Sequence, residues 1–335
     1  MSRYAAAHAN PQGPGDARPT ALQIIKDNDM EGKLAGKVIV VTGVSSGIGI
    51  ETVRALALTG ASFYLAARDL ATAKSALADV LEPDRMELVE MEQTSLESVR
   101  SAAATILAKT SQVNILINNA GIMGVPDRQL TKDGYELQFG VNHLSHFLLF
   151  QLLKPALLAA STPEFQSRVV NVASSSHLAT RGLNTSDNYH FQNGDYHGRA
   201  AYAQSKLANV YMASEIERRY GSRGLHAMSL NPGLIATGLG RYMSKEQIDG
   251  LVGNQFLAKI WKSHEQGAAT TVWAAVGKEW EGKGGRYLDH CAEAQRGEDD
   301  GNEMRGTYAS HTYSPEEEAR LWKDSLSMVG LPDSE

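Results

Sequence analysis

The residues of this chain best suited to joint chemistry fall into three groups. Tyr202-Ala203-Gln204-Ser205-Lys206 sets a phenol and an ammonium four residues apart, one above the other on a helix face. A phenol of ordinary pKa, about 10, is a poor acid–base group at neutral pH. A neighbouring ammonium favours the phenolate and is expected to bring that pKa toward the working range. Surface helices produce this spacing by chance, so its meaning depends on its company. Ser174 closes the run Val170-Asn171-Val172-Ala173-Ser174, where a hydroxyl could hold a substrate carbonyl. Ser175 and Ser176 compete for that role, and a loop-capping serine is the plain alternative. The third group is Thr42-Gly43-Val44-Ser45-Ser46-Gly47-Ile48-Gly49, between an apolar run and a helical pattern. Glycines there permit a tight turn and close approach of backbone to a pyrophosphate, which the N–H groups and dipole of the next helix would hold. A tight turn with no ligand is the alternative.

Other positions refine or oppose this chemistry. The second apolar run ends at Ala66-Ala67-Arg68-Asp69. An acidic residue in the place of Ala67 would bind a ribose 2′-hydroxyl and select NAD. Arg68 would instead pair with a 2′-phosphate, so NADPH/NADP+ is expected rather than NADH. Asp69 also reads as the N-cap of the following helix. Asn118-Asn119-Ala120-Gly121 closes the fourth run, its amides either bracing the sheet or approaching the cofactor. His143 and His146 have a metal-compatible spacing, but no carboxylate or thiolate cluster completes a site, so no metal is expected. Cys291 reads as a packed thiol.

The elements that must position these groups follow from patterning. Short strand-length runs, apolar and in places β-branched, at Val38–Val41, 62–67, 86–91, 113–117, 168–172 and 225–230 alternate with helical stretches. The helices are expected from Ile50 to Leu58, to about Leu81, over 95–109, from about Gly134 to Ala160 despite Pro155, and over 200–220. This is an α/β pattern: a Rossmann-type doubly wound parallel sheet in three α/β/α layers, as a single domain. Gly285-Arg286-Tyr287-Leu288 reads as its last, edge strand. Residues 1–32 form an N-terminal extension, partly flexible, in which Thr20 caps a short helix that docks on the body. Residues 33–335 form the catalytic domain.

Composition narrows the class. With 32 Lys plus Arg against 38 Asp plus Glu the net charge is -6, and no basic run offers itself to nucleic acid. One cysteine fits a reducing compartment. No run suffices for a membrane span and the start has no secretory h-region, so a cytoplasmic protein is expected.

The glycine loop, Asn118 to Gly121, Ser174 with Tyr202-x-x-x-Lys206, and Asn231-Pro232-Gly233 followed by Thr237 occur in one order. In that conjunction the sequence resembles the short-chain dehydrogenase/reductase family, in its T-G-x-x-x-G-I-G branch. Val141 to Phe147 and the stretch through His177 are similar to the retinol dehydrogenase and WW-domain oxidoreductase-like group. The resemblance implies a catalytic set of Asn142, Ser174, Tyr202 and Lys206. Tyr202 would donate the proton, Lys206 lower its pKa and hold the nicotinamide ribose, Ser174 orient the carbonyl, and Asn142 hold a water that resupplies protons. It places Gly43, Ser45, Ser46, Gly47, Ile48 and Gly49 at the phosphates, Arg68 and Glu92 at the adenosine end, and Asn119 and Gly121 along the ribose. Tyr202, Lys206, Pro232, Gly233 and Thr237 fall near the nicotinamide.

The reaction so implied is an NADPH-dependent reduction of a ketone or aldehyde, reversible, on a small-molecule carbonyl or alcohol substrate. An alcohol dehydrogenase working oxidatively and a non-catalytic NADP-binding sensor are the alternatives. Homodimers through the Asn142 and Tyr202 helices are common in that family. Three departures stand out: Ala173 where serine is frequent, Glu92 where aspartate is usual, and a long step of 28 positions from Ser174 to Tyr202. The extra segment, 177–199, carries Tyr189, Phe191, Tyr196 and His197 and is expected at the substrate mouth. Residues 234–261 are expected as a substrate lid, or as a plain amphipathic helix pair, and 315–331 as a C-terminal helix.

Overall fold

The computed structural model describes residues 2–194 and 196–333. Met1, Asp195, Ser334 and Glu335, at the ends of the chain and within the 177–199 segment, lie outside the described residues. Apolar runs, β-branched or aromatic in several strands, favour extended backbone because such side chains suit a pleated, packed surface. They form β1 (Val38–Thr42), β2 (Ser62–Ala67), β3 (Met86–Glu90), β4 (Ile115–Asn118), β5 (Ser167–Val172), β6 (Leu225–Leu230) and β7 (Arg286–Asp289). The sheet order is β3-β2-β1-β4-β5-β6-β7, with β8 (Ala292–Glu293) added at the end. Strands β1 to β7 are parallel, and β8 pairs antiparallel with β7. The strand predicted to end the sheet therefore has a neighbour: His290 and Cys291 take left-handed φ of 54° and 51° and turn the chain back. Growth of the sheet reverses between β1 and β4, where doubly wound folds open a crevice beyond the strand ends.

Alternate residues of the central strands face two cores. Ile39, Val41, Ile115 and Ile117 pack with Ile24, Ile25, Leu56, Val272 and Trp273 on one face. Val40, Leu116 and Val169 pack with Phe147, Leu148, Leu207, Leu321 and Trp322 on the other. Arg168 ties the first face together. Its guanidinium donates to the carbonyls of Ala275 and Gly277, both at 3.0 Å, at the end of the helix Ala269–Val276, and pairs with Glu281 at 2.7 Å.

Two helices differ from the periodicity. The helix after β2 runs only over Leu70–Ala76. The long one begins at Leu137, where the Glu136 carboxylate accepts from the N–H groups of Gln138 and Phe139. It then widens to a π-turn over Gly140–Leu144 before continuing as Ser145–Ala160 through Pro155. Such a turn inserts a residue and re-aims its neighbours, and Asn142 lies in it.

The N-terminal extension lies against the body. Thr20 caps the helix Ala21–Asp27 through the Gln23 N–H, and Ile24 and Ile25 are buried. Ser2 Oγ donates to the Cys291 carbonyl at 2.5 Å. The buried Arg18 donates to the carbonyls of Ile260 at 2.8 Å and Trp261 at 2.6 Å. Among the described residues no helix is long and apolar enough to cross a membrane.

His143, His146 and His177 are buried, and burial holds their pKa values down to about 3, 4 and 4. The unfolded chain binds these protons at the ordinary value of 6.5. Their contribution to stability is thus complete above pH 6.5 and is lost as the pH falls toward 4. Thermal melts should show a level Tm near neutrality and a steep decline below about pH 6. A Tm unchanged to about pH 5 would remove these histidines from the acid response.

Candidate active site

The end of β1 fixes the site. Thr42 Oγ1 accepts the N–H groups of Asn119 and Ala120, each at 3.0 Å. Its own proton is therefore directed at His146 Nε2, 2.8 Å away. That choice makes Nδ1 the protonated nitrogen of His146, and it donates to the Asn142 carbonyl at 3.0 Å. One hydroxyl thus joins β1, the end of β4 and the π-turn. Asn119 Nδ2 adds bonds to the carbonyls of Thr42 and Gly43 at 2.9 and 3.1 Å, and Asn118 Nδ2 reaches Asn171 Oδ1 at 2.8 Å. Both asparagines brace the strand ends.

The predicted catalytic residues converge. Tyr202 and Lys206 lie on the helix Gly198–Tyr220, are buried, and share the cavity wall with Ser174. The Tyr202 hydroxyl is hydrogen-bonded to Ser174. Lys206 Nζ donates to the Val172 carbonyl at 2.8 Å and stands 5.6 Å from the centre of the Tyr202 ring. Burial presses the ammonium down to about 7. The sequence-based expectation for Tyr202 is reversed. Burial pushes its phenol up to about 12, the Ser174 hydrogen bond pulls it back, and the Glu303 carboxylate adds to the rise. An ammonium bound to a carbonyl and itself destabilised by burial does not offset the desolvation of the phenol. Asn142 is committed on both sides of its amide. Oδ1 accepts the Ile122 N–H at 2.9 Å, and Nδ2 donates to the Ile122 carbonyl at 3.0 Å and to Ser205 Oγ at 2.9 Å.

A single cavity of about 1060 Å³ runs from the glycine loop to Ser174, Tyr202 and Lys206. Gly43, Ser45, Ser46, Gly47, Ile48 and Gly49 line one end, with Arg68 and Glu92. The helix Ile48–Ala57 has no side-chain cap, so its N-terminal donors face this space. Arg68 is 71% exposed and stands 3.8 Å from Glu92, while Asp69 caps the next helix through Thr72. Asn119 and Gly121 line the middle, and Pro232, Gly233 and Thr237 the far wall. Gly49 has no room for a side chain: a Cβ would stand 2.1 Å from the Gly43 carbonyl oxygen. An open helix N-terminus beside a glycine loop fits the pyrophosphate of a nicotinamide dinucleotide.

With this geometry in place, comparison with known proteins is decisive. The family model described as short chain dehydrogenase matches residues 37–248. The chain is a short-chain dehydrogenase/reductase. Its relatives include short-chain dehydrogenase/reductase prx1 of Penicillium roqueforti, 50% identical over 99% of this chain and 96% of that one. Human retinol dehydrogenase 13 is 36% identical over 89% of this chain and 86% of its own. Among solved structures, an uncharacterised protein from Mycobacterium paratuberculosis superposes with a TM-score of 0.69 at 28% identity, covering 94% of this chain and 98% of that one.

The part of this short-chain dehydrogenase/reductase outside the matched residues also reaches the cavity. His8, Pro11 and Arg18 line it from the N-terminal extension, and Glu303, Met304 and Gly306 from the segment before the last helix. Sequence reasoning missed them; the acidic 298–303 stretch carries no spacing that points to a site. The 177–199 segment was expected at the substrate mouth, and none of its described residues lines the cavity. Tyr189 is buried, stacked on Phe139 at 5.3 Å and bonded to Asp324 at 2.9 Å, because its ring finds a core beside the last helix. Residues 245–252 and 255–260 form a helix pair, of which Ile248, Leu251, Val252 and Ile260 line the cavity. The two histidines considered for a metal are taken up by packing: His143 Nε2 meets Ser325 Oγ at 2.8 Å, and His146 meets Thr42.

Thr42→Val keeps the shape and leaves two N–H groups and one imidazole nitrogen unpaired. Each unpaired buried group costs about 1–3 kcal/mol. Denaturant unfolding should show a loss of about 1–3 kcal/mol, mostly from the buried imidazole nitrogen, accompanied by weaker cofactor binding. A variant within about 0.5 kcal/mol of wild type would show that this hydroxyl does not join the three elements.

Proposed function

We propose that the protein is an NADPH-dependent reductase of a ketone or aldehyde, acting reversibly by hydride transfer. The observation that carries this reading is the Ser174–Tyr202–Lys206 set at one end of a cavity whose other end holds an open helix N-terminus and Arg68. The glycine loop, Gly43 to Gly49 with Ser45, Ser46 and Ile48, would hold the pyrophosphate. Arg68 would hold the 2′-phosphate, and Glu92 would stand near the adenine. Asn119, Gly121 and Lys206 would border the riboses, and Pro232, Gly233 and Thr237 the nicotinamide. When bound, the cofactor supplies the hydride.

The chain's own residues do the rest. Ser174 holds the carbonyl oxygen by hydrogen bond. Tyr202 gives that oxygen its proton, and Lys206 lies on the path that returns one. Asn142 keeps the wall behind Lys206 rigid, and water resupplying the proton would run along it. The apolar side chains of Ile248, Leu251, Val252 and Met304 favour a bulky, largely apolar substrate. A second reading, oxidation of an alcohol by the same site, draws on the identity to retinol dehydrogenase 13.

Tyr202→Phe should lower turnover of ketones and aldehydes by about 100-fold or more while NADPH still binds. Turnover near wild type in that variant would refute the mechanism. Cofactor choice rests on Arg68. Binding titrations of Arg68→Ala should show NADPH weakened by about tenfold or more and NADH little changed. Equal losses would remove the 2′-phosphate assignment.

A further inference from the structure

The segment between β8 and the last helix brings a carboxylate to the reacting centre. Glu303 lines the cavity together with Ser174, Ser176 and Tyr202, and only 11% of its side chain is exposed. Ser176 Oγ donates to its Oε2 at 2.8 Å, and Arg199 pairs with its Oε1. Both anchors adjoin the catalytic residues: Ser176 follows Ser174 by two positions, and Arg199 precedes Tyr202 by three. The Arg199 side chain is 68% exposed, so water screens its charge. The carboxylate lies on the dry side, where its field is less screened. Glu303 falls outside residues 37–248, the part matched by the family model.

Several groups face Tyr202. Lys206 stands on the same helix, bound to the Val172 carbonyl. Ser174 holds the phenol from the end of β5. From β7 comes Tyr287, buried and protonated, with the neutral His177 ring against it at 4.5 Å. From the C-terminal segment comes Glu303, which lines the cavity with Tyr202 and whose negative charge adds to the rise of its phenol.

We propose that Glu303 is a positioning residue for the reduction, its carboxylate holding the transferable proton on Tyr202 over a wider pH range than the Ser174 hydrogen bond alone allows. The inference rests on the reductase reading. In that reaction the substrate carbon gains a hydride from the reduced cofactor and the carbonyl oxygen gains the Tyr202 proton. A tyrosine already ionised has none to give. A negative charge beside the phenol opposes that ionisation, so the alkaline limb of reduction moves upward, and oxidation, which needs the phenolate as base, begins at higher pH.

The test is a titration of Tyr202 by NMR, with tyrosine labelled by carbon-13 at Cζ, in protein saturated with NADP+. The Tyr202 signal is the one lost in Tyr202→Phe. Glu303→Gln keeps an acceptor for Ser176 and removes the charge, and it should lower the Tyr202 midpoint by about half a unit or more. Glu303→Asp should restore most of the shift, and Arg199→Met should move the midpoint the opposite way. The alkaline limb of ketone reduction should fall with the NMR midpoint in Glu303→Gln. A midpoint unmoved by Glu303→Gln, or moved the same way by Glu303→Gln and Arg199→Met, overturns the proposal. The same titrations in the free protein judge Glu303 if NADP+ fails to bind, a result that would count against the cofactor reading and not against the carboxylate.

Discussion

The site depends on where one hydroxyl sends its proton. Thr42 Oγ1 takes two N–H groups from the chain leaving β4 and must donate to His146. That single donation sets the tautomer of a buried histidine, whose other nitrogen then fixes the Asn142 carbonyl. Three elements distant in sequence are thereby held in one register: the strand that leads into the glycine loop, the chain leaving β4 at Asn119, and the π-turn behind Lys206. A hydroxyl with a free rotor would not impose this. Thr42 imposes it because both its lone pairs are spoken for.

Burial then sets the electrostatics. The same removal from water that pushes the Tyr202 phenol up presses the Lys206 ammonium down to about 7. The two groups are each moved toward neutrality, and neither rescues the other. Small additions of charge near them therefore carry weight, and Glu303 is one such addition. The lysine's cost in stability is fully present below its folded pKa and is relieved as pH rises toward the ordinary value of 10.5. Stability is given up at neutral pH to keep an ammonium in a dry site.

Much of this was legible in the sequence. Runs such as Val38 to Val41 and Arg168 to Val172 announced a sheet buried on both faces, and the parallel order followed from the helices between them. Asn142, Ser174, Tyr202 and Lys206, singled out by the family resemblance, stand around one cavity or directly behind its wall. The failures have common causes. Aromatic residues in 177–199 suggested a substrate mouth, yet Tyr189 went to a core made by the last helix, a contact no local pattern reveals. Glu303 reaches Ser176 across 127 positions. The π-turn depends on one extra residue in a helix whose apolar spacing looks regular. The rise in the Tyr202 pKa reflects burial, which spacing alone does not measure.

The N-terminal extension bears on how the molecule is made. Arg18 and Gln266 are joined across 248 positions, Ser2 and Cys291 across 289. Synthesis at about 5–20 residues per second leaves the first segment waiting on the order of tens of seconds for its partners to emerge from the ribosome. Until then Ile24 and Ile25 have no Val272 or Trp273 to cover them. The opening residues of the chain are thus among the last to find their place, and the newborn protein must keep a greasy helix out of trouble while the rest is still being translated.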